Sequence, residues 1–227
     1  MSHRKLPLIL ALATSLVVTT AVPAFAADED DTSWDGLVRA KVKRIDEVYL
    51  LPEADFSVYT KVLIEPAEVS FRRNWQRDHD SFNNRVTDAQ AREILDEART
   101  GFDEIMREAF EKQGFQVVGT ACEDVLKVRP SITDLDIAAP EANMSVRTRT
   151  YSREAGEATL TLEARDSVSG QLLGRAIDTD TAGDFGSYMQ SRNRMTNKSD
   201  FAQLFREWAN QLAKGMVKLR ESSSSGN

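Results

Sequence analysis

One cysteine and two histidines are all that this 227-residue sequence holds of the side chains most used for soft-metal binding and nucleophile activation, and His3 stands among the first few residues. A zinc site needs three or four convergent ligands, and Cys122 with His79 does not supply them. With one cysteine, an internal disulfide is excluded, so the fold must be held by its apolar core. Glycine-rich phosphate loops are also missing, since Gly183-x-x-Gly186 is too loose a match to any phosphate-binding fingerprint. Basic residues are in deficit, 29 Lys and Arg against 36 Asp and Glu. Nucleic acid and anionic lipid are held by clustered Lys and Arg, so neither is an expected partner.

What is present begins with a leader. His3-Arg4-Lys5 supplies a positive start, Leu6 to Val22 an apolar stretch, and Ala24-Phe25-Ala26 a small-x-small site. This predicts a secretory signal peptide over 1–26, with cleavage between Ala26 and Ala27. An uncleaved anchor is the alternative, but the run is short for a span, is broken by Pro7 and Pro23, and is followed by acids. No cysteine directly follows the apolar stretch, so the mature chain is expected to be free of a lipid or other stable membrane anchor, in the periplasm or secreted. Without Arg4 and Lys5 it keeps 27 basic and 36 acidic residues.

Residues 27–33, rich in Asp and Glu, read as an acidic disordered tail, 34–220 as a single α/β domain, and 221–227 as a flexible Ser-rich tail. Val48 to Leu51 is a short strand candidate. Lys61 to Phe71 reads as the first main strand, interrupted by a bulge or an edge at Pro66, which lacks an N–H. Thr87-x-x-Gln90 is a capping box, and Ala91, Ile94, Leu95, Ala98, Phe102, Ile105, Met106, Ala109 and Phe110 continue at helical spacing to Gly114. Phe115 to Val118 is expected to run parallel to the first strand after a right-handed crossover. Leu126 to Ile137, Val146 to Tyr151, Ala158 to Arg165 and Gln171 to Asp180 are then expected as a meander, with strict apolar-polar alternation clearest from Ala158 to Arg165. Phe201, Leu204, Phe205, Trp208, Leu212, Met216 and Leu219 form the stripe of a last helix. The predicted class is α/β (α+β): a mixed, mainly antiparallel sheet of about five to six strands with two long helices packed on it.

Asp35-Gly36-Leu37, Tyr49 with Pro52, Ala54-Asp55, Tyr59, Val62, and Ile64-Glu65-Pro66 through Val69 and Phe71 carry a resemblance. They are similar to the opening of a family of bacterial envelope lipoproteins known as domain of unknown function 3313 (DUF3313). The resemblance implies an exported envelope protein and assigns no catalytic residue. The chain departs from the family pattern in lacking the lipid-modified cysteine.

The candidate chemistry is thin. His79 lies between Asp78 and Asp80 with no second ligand in view, and reads as part of a solvated loop. Cys122, next to Glu123 and Asp124, reads as a buried, inert thiol. Asp134 with Asp136, and Asp178 with Asp180, have the spacing that puts two acids on one strand face, as a hydrolase dyad requires, but nothing selects them. No cofactor, metal or catalytic residue is assigned. The expected function is therefore non-catalytic binding of another envelope component, with a periplasmic small-ligand binder or hydrolase as the alternative.

Counting strand directions puts the two long loops, 72–86 and 181–198, at one end of the sheet. Arg72, Arg73, Trp75, Arg77 and Phe82 in the first, and Phe185, Tyr188, Met189, Arg192 and Arg194 in the second, make a basic, aromatic candidate surface. Alternatively Trp75, Phe82 and Tyr188 fold inward to cap the sheet edge.

Overall fold

The computed structural model describes residues 32–80, 85–138, 150–183, 189–192 and 194–225. In order they form β1 (Val38–Ala40), β2 (Glu47–Leu50), β3 (Lys61–Ile64), β4 (Glu68–Phe71), α1 (Trp75–His79), α2 (Asp88–Lys112), β5 (Gln116–Val117), β6 (Val125–Ile137), β7 (Thr150–Ser152), β8 (Gly156–Asp166), β9 (Leu172–Ala182), β10 (Gln190–Arg192) and α3 (Arg194–Ser225). Among the described residues, eight strands make one mostly antiparallel open sheet in the order β1-β2-β9-β8-β6-β3-β5, with β4 also on β6. β7 and β10 pair separately.

α2 and α3 cover one face of the sheet. Val128 and Ile132 of β6, Leu160 and Leu162 of β8, Phe102 and Phe110 of α2, and Phe205 and Trp208 of α3 share one buried core. Phe102 meets Phe205 edge to face, with ring centroids 5.2 Å apart. Alternation sends the intervening residues to the other face, where Arg129 pairs with Glu65 at 2.8 Å and Arg165 with Glu163 at 2.9 Å.

Local signals explain the helix ends. Thr87 and Gln90 close the capping box on α2. Beyond it Gly114 takes φ 83°, and Phe115 packs edge-on to Phe110 with centroids 5.6 Å apart. At Pro66 the expected first strand divides into β3 and β4, and the Ala67 N–H donates to Asp103 Oδ1 of α2 at 2.9 Å. The helix thereby anchors the break in the strand.

β6 departs from expectation. It runs parallel to β3 and β4, not antiparallel to the first strand. β5 is two residues long, and the short connection 118–124 carries the chain back to start β6 on the opposite side of β3. The connection is held there by Lys61 Nζ on Asp124 at 2.8 Å, and by the Thr60 and Lys61 N–H groups on the Asp124 carbonyl. The strand expected at Val146 to Tyr151 falls mostly outside the described residues. Its described part, in β7, pairs with β10 and takes no place in the main sheet. Finally, α3 runs on to Ser225, and Ser223 Oγ accepts the Phe56 N–H at 3.1 Å, so the Ser-rich stretch continues the helix.

Candidate functional site

Phe71, at the end of β4, stands opposite Leu135. At the end of β9, Ala182 stands opposite Gly156, which faces Ile137. The chain therefore leaves the sheet toward 72–86 and toward 183–193 at the same end. β6 runs opposite to its expected direction, but β8 and β9 run as expected, so this placement is unaffected.

The side chains at that end divide. Trp75 is not on the surface: it is 1% exposed, stacked on Phe71 with centroids 3.8 Å apart, and its Nε1–H donates to the Ile137 carbonyl at 3.3 Å. Five residues of helix, α1, turn the indole inward, because an isolated tryptophan gains more from burial than from water. Arg72 is paired with Asp136 at 2.9 Å and Asp78 at 3.2 Å. Arg194 spans to α2, reaching both Glu93 and Glu97 at 2.6 Å. Arg73 and Arg77 are exposed, Arg77 with a 3.5 Å contact to Asp78. Arg192 takes part in β10 through its backbone. Phe82, Phe185 and Tyr188 lie outside the described residues. Met189, part of the expected surface, is exposed here, and so are two residues that the sequence reading did not include in it, Tyr151 and Met195.

The remaining candidates disperse. His79 is half-buried in α1, its Nε2 3.2 Å from Asp136 Oδ1, so it belongs to the Arg72–Asp136 cluster and not to an open loop. Cys122 is exposed, against the expectation of burial. It sits in the β5–β6 connection, tied by its N–H to Ser167 Oγ at 3.1 Å while that hydroxyl donates to the Cys122 carbonyl. Asp134 takes φ 52°, and the pairing of β6 with β8 shifts register there. That bulge separates it from Asp136 and ends the face-sharing assumed for the pair. Among the described residues no group of three or more His, Cys, Asp or Glu is placed to hold a metal ion.

Asp178 is the acid that the structure singles out. It is 6% exposed, its Oδ1 accepts the Asp46 N–H at 2.8 Å, and its Oδ2 accepts Trp208 Nε1–H at 2.7 Å. Burial pushes its carboxyl above the usual range, the two donors partly offset this, and Asp46 and Asp180 add repulsion. Between the ordinary aspartate value, about 3.9, and the raised folded value, the native state holds more of the proton than the unfolded chain. Stability contributed by this group therefore falls as pH rises through that window. Denaturant titrations at pH 4 and pH 7 are expected to show Asp178→Asn gaining on the wild type toward pH 7. A shift toward the wild type overturns the assignment.

A cavity of about 180 Å³ lies between α2 and α3 at the same end of the sheet. Ile94, Ala98, Ile105, Leu135, Phe201 and Phe205 wall it, with Glu93, Glu97, Arg194 and Lys198 also lining it. Two further lining residues are unusual. Asn197 is 4% exposed, donates from Nδ2 to the Ala138 carbonyl at 2.7 Å, and leaves Oδ1 without a hydrogen-bond partner among the described residues. Gly101 interrupts α2, where glycine costs about 1 kcal/mol relative to alanine. A Cβ built there meets nothing within 4 Å. The sequence reading missed both. Continuing the α3 stripe one turn back from Phe201 reaches Asn197, and an isolated glycine in a strongly periodic helix is itself a signal. A second apolar groove, about 280 Å³, lies between α3 and the β2–β9 side of the sheet, lined by Val48, Leu50, Phe56, Leu162 and Leu212. No described helix is long and apolar enough to cross a membrane.

The family model described as "Protein of unknown function (DUF3313)" matches residues 28–212. No curated protein matches the chain. Among solved structures, it is similar to protein XCC0632 from Xanthomonas campestris, with TM-score 0.41 and 12% identity over 78% of this chain and 94% of that one. It is also similar to the PelC dodecamer from Paraburkholderia phytofirmans, with TM-score 0.35 and 10% identity over 72% and 96%. A third likeness is to a minor lipoprotein from Acinetobacter baumannii, with TM-score 0.32 and 10% identity over 70% and 95%.

Proposed function

We propose that this chain, which belongs to the DUF3313 family of proteins of unknown function, is an exported, non-catalytic protein of the bacterial cell envelope that binds another envelope component. The contact surface in this reading is the sheet end from which 72–86 and 181–198 depart. The leader over 1–26 supports export, to the periplasm or beyond it. The observation that carries the binding reading is the shared exit of β4 and β9, with Arg73, Arg77, Tyr151, Met189 and Met195 exposed at that end. Arginine and aromatic residues are enriched at interface centres. The two acids that burial makes less acidic, Asp103 and Asp178, each accept N–H groups of the protein's own fold, an arrangement that supports a structural use.

The test uses the mature chain as bait in cross-linked envelope extracts, beside a variant carrying Arg73→Ala, Arg77→Ala, Tyr151→Ser and Met195→Ser. Loss of a specific captured component by tenfold or more, with Tm within a few degrees of wild type, supports the surface. Undiminished capture by the variant overturns it. Intact mass from the native host checks the export half: a chain that retains residues 1–26 is not the processed protein proposed.

A further inference from the structure

We infer that residues 38–44 and the turn before them form a docking surface for an anionic lipid bilayer, held reversibly through Arg39, Lys41, Lys43, Arg44 and Trp34. The surface lies along β1, at the edge of the sheet and four strands from β6, and is independent of the contact surface proposed above.

Charge comes first. The acidic balance of the whole chain counts against anionic partners, but attraction to a charged surface is set by groups within about 10 Å of it at ordinary ionic strength. Residues 38–44, Val-Arg-Ala-Lys-Val-Lys-Arg, hold four bases and no acid. All four bases are exposed, and none has an ion-pair partner among the described residues. Arg39 donates to the backbone carbonyl of Asp46 at 3.3 Å, which leaves its charge unmatched. The flanking acids are engaged elsewhere: Asp35 by Arg175, Asp46 Oδ2 by the Thr179 N–H, and Glu47 by the Tyr49 hydroxyl. Arg72, Arg129, Arg165 and Arg194, in contrast, are each matched by a carboxylate.

These bases do more than guard a sheet edge. Edge strands commonly carry charge to block pairing with another chain, which accounts for Arg39 in β1. Lys41, Lys43 and Arg44 lie past the end of that strand, where no ladder remains to protect. Arg44 also takes φ 69°, a left-handed conformation suited to glycine or asparagine. A charged side chain is kept there against the preference of the backbone.

Exposed apolar groups select a bilayer over a soluble anionic polymer. Trp34 is 93% exposed and Val42 50% exposed, one before β1 and one after it. The Gly36 N–H donates to the Ser33 carbonyl at 3.0 Å, and Thr32 bridges to Val38, so the turn that carries Trp34 sits beside β1. A tryptophan ring gains from the boundary between water and hydrocarbon, where its apolar body is covered and its N–H stays wet. Lysine and arginine beside it meet the lipid phosphates. A charged polymer in water has no hydrocarbon layer to receive the ring. Two apolar side chains fall far short of a membrane span, so the contact is reversible.

The probes are vesicles of phosphatidylcholine alone and of phosphatidylcholine with an equal part of phosphatidylglycerol, sedimented with the mature chain, which holds every described residue. Binding to the mixed vesicles is expected to be at least tenfold tighter, and to be lost in about 1 M salt. A base near an anionic surface contributes roughly fivefold, so Lys41→Gln with Lys43→Gln is expected to weaken binding about 25-fold. Trp34→Ala is expected to weaken it severalfold. These positions are exposed, so Tm stays near wild type in each variant. Arg73→Gln with Arg77→Gln removes the same charge from the other proposed surface and is expected to leave vesicle binding within twofold. No preference for the mixed vesicles, equal losses in the two double variants, or binding unchanged by Trp34→Ala, as a site for an anionic polymer gives, overturns the inference. So does vesicle binding that appears only after Asp28, Glu29, Asp30 and Asp31, which precede the described residues, are replaced by their amides, since that makes the acidic segment the occupant of this surface.

Discussion

Replacing Trp75 with alanine is expected to destabilise the protein by about 3–5 kcal/mol, the usual cost of truncating a buried aromatic to a methyl group. At this chain length the corresponding fall in Tm is roughly 6–20 °C. The indole is almost wholly enclosed, lies flat on Phe71 with an interplanar angle of 3°, and commits its only donor to the Ile137 carbonyl. With Val86 and Ala91 it forms a small second core that fastens α1 and the start of α2 to the end of β4. Arg73→Ala and Arg77→Ala, two neighbours in the same segment, are expected to change stability by less than about 0.5 kcal/mol, as exposed positions do. The contrast separates a core residue from surface residues a few positions apart. A Trp75→Ala protein that melts with the wild type would place the indole outside, and return it to the contact surface.

Trp75 also marks the boundary of what is legible in the sequence. Its neighbours in the chain are polar and charged, so no periodic pattern declares burial; the partner that buries it, Ile137, lies 62 positions away. Features written in neighbouring residues are readable. The Thr87–Gln90 box, the Gly114 stop and the Phe110–Phe115 contact each depend on residues within a turn or two of helix. The alternation of β8 depends only on the pleat, and Ala158, Leu160, Leu162 and Ala164 are all buried as it requires. What stays hidden depends on distant partners. The direction of β6 follows from a two-residue β5 and a short return that no local pattern announces. The exposure of Cys122 follows from the same connection. Asn197 falls within the loop expected over 181–198, because a polar residue seldom extends an apolar stripe. Its burial becomes visible only once α2 and the end of β6 close over it.

Gly156→Ala is expected to be the other severe substitution, again about 3–5 kcal/mol, because two costs coincide at one position. The first is conformational: Gly156 has φ 150°, a value that residues with a Cβ rarely adopt. The second is steric: a Cβ built there falls 1.8 Å from the Asp136 carbonyl oxygen and 2.9 Å from Phe201 Cζ. The first obstacle is backbone, and cannot rotate away. It belongs to the bulged end of β6, where Asp136 pairs with Glu157 and Ile137 with Gly156 itself. Relief therefore requires β6 and β8 to part at the end of the sheet where both long connections begin. Gly170→Ala separates the two costs. Gly170 also has positive φ, 75°, but a Cβ there meets nothing within 4 Å, so only the conformational cost, about 1–2 kcal/mol, applies. Urea denaturation of the two variants beside the wild type measures the difference. If Gly156→Ala is no less stable than Gly170→Ala, the strands do not approach as closely as the Asp136 carbonyl requires, and the bulge at Asp134 does not set the geometry of that end.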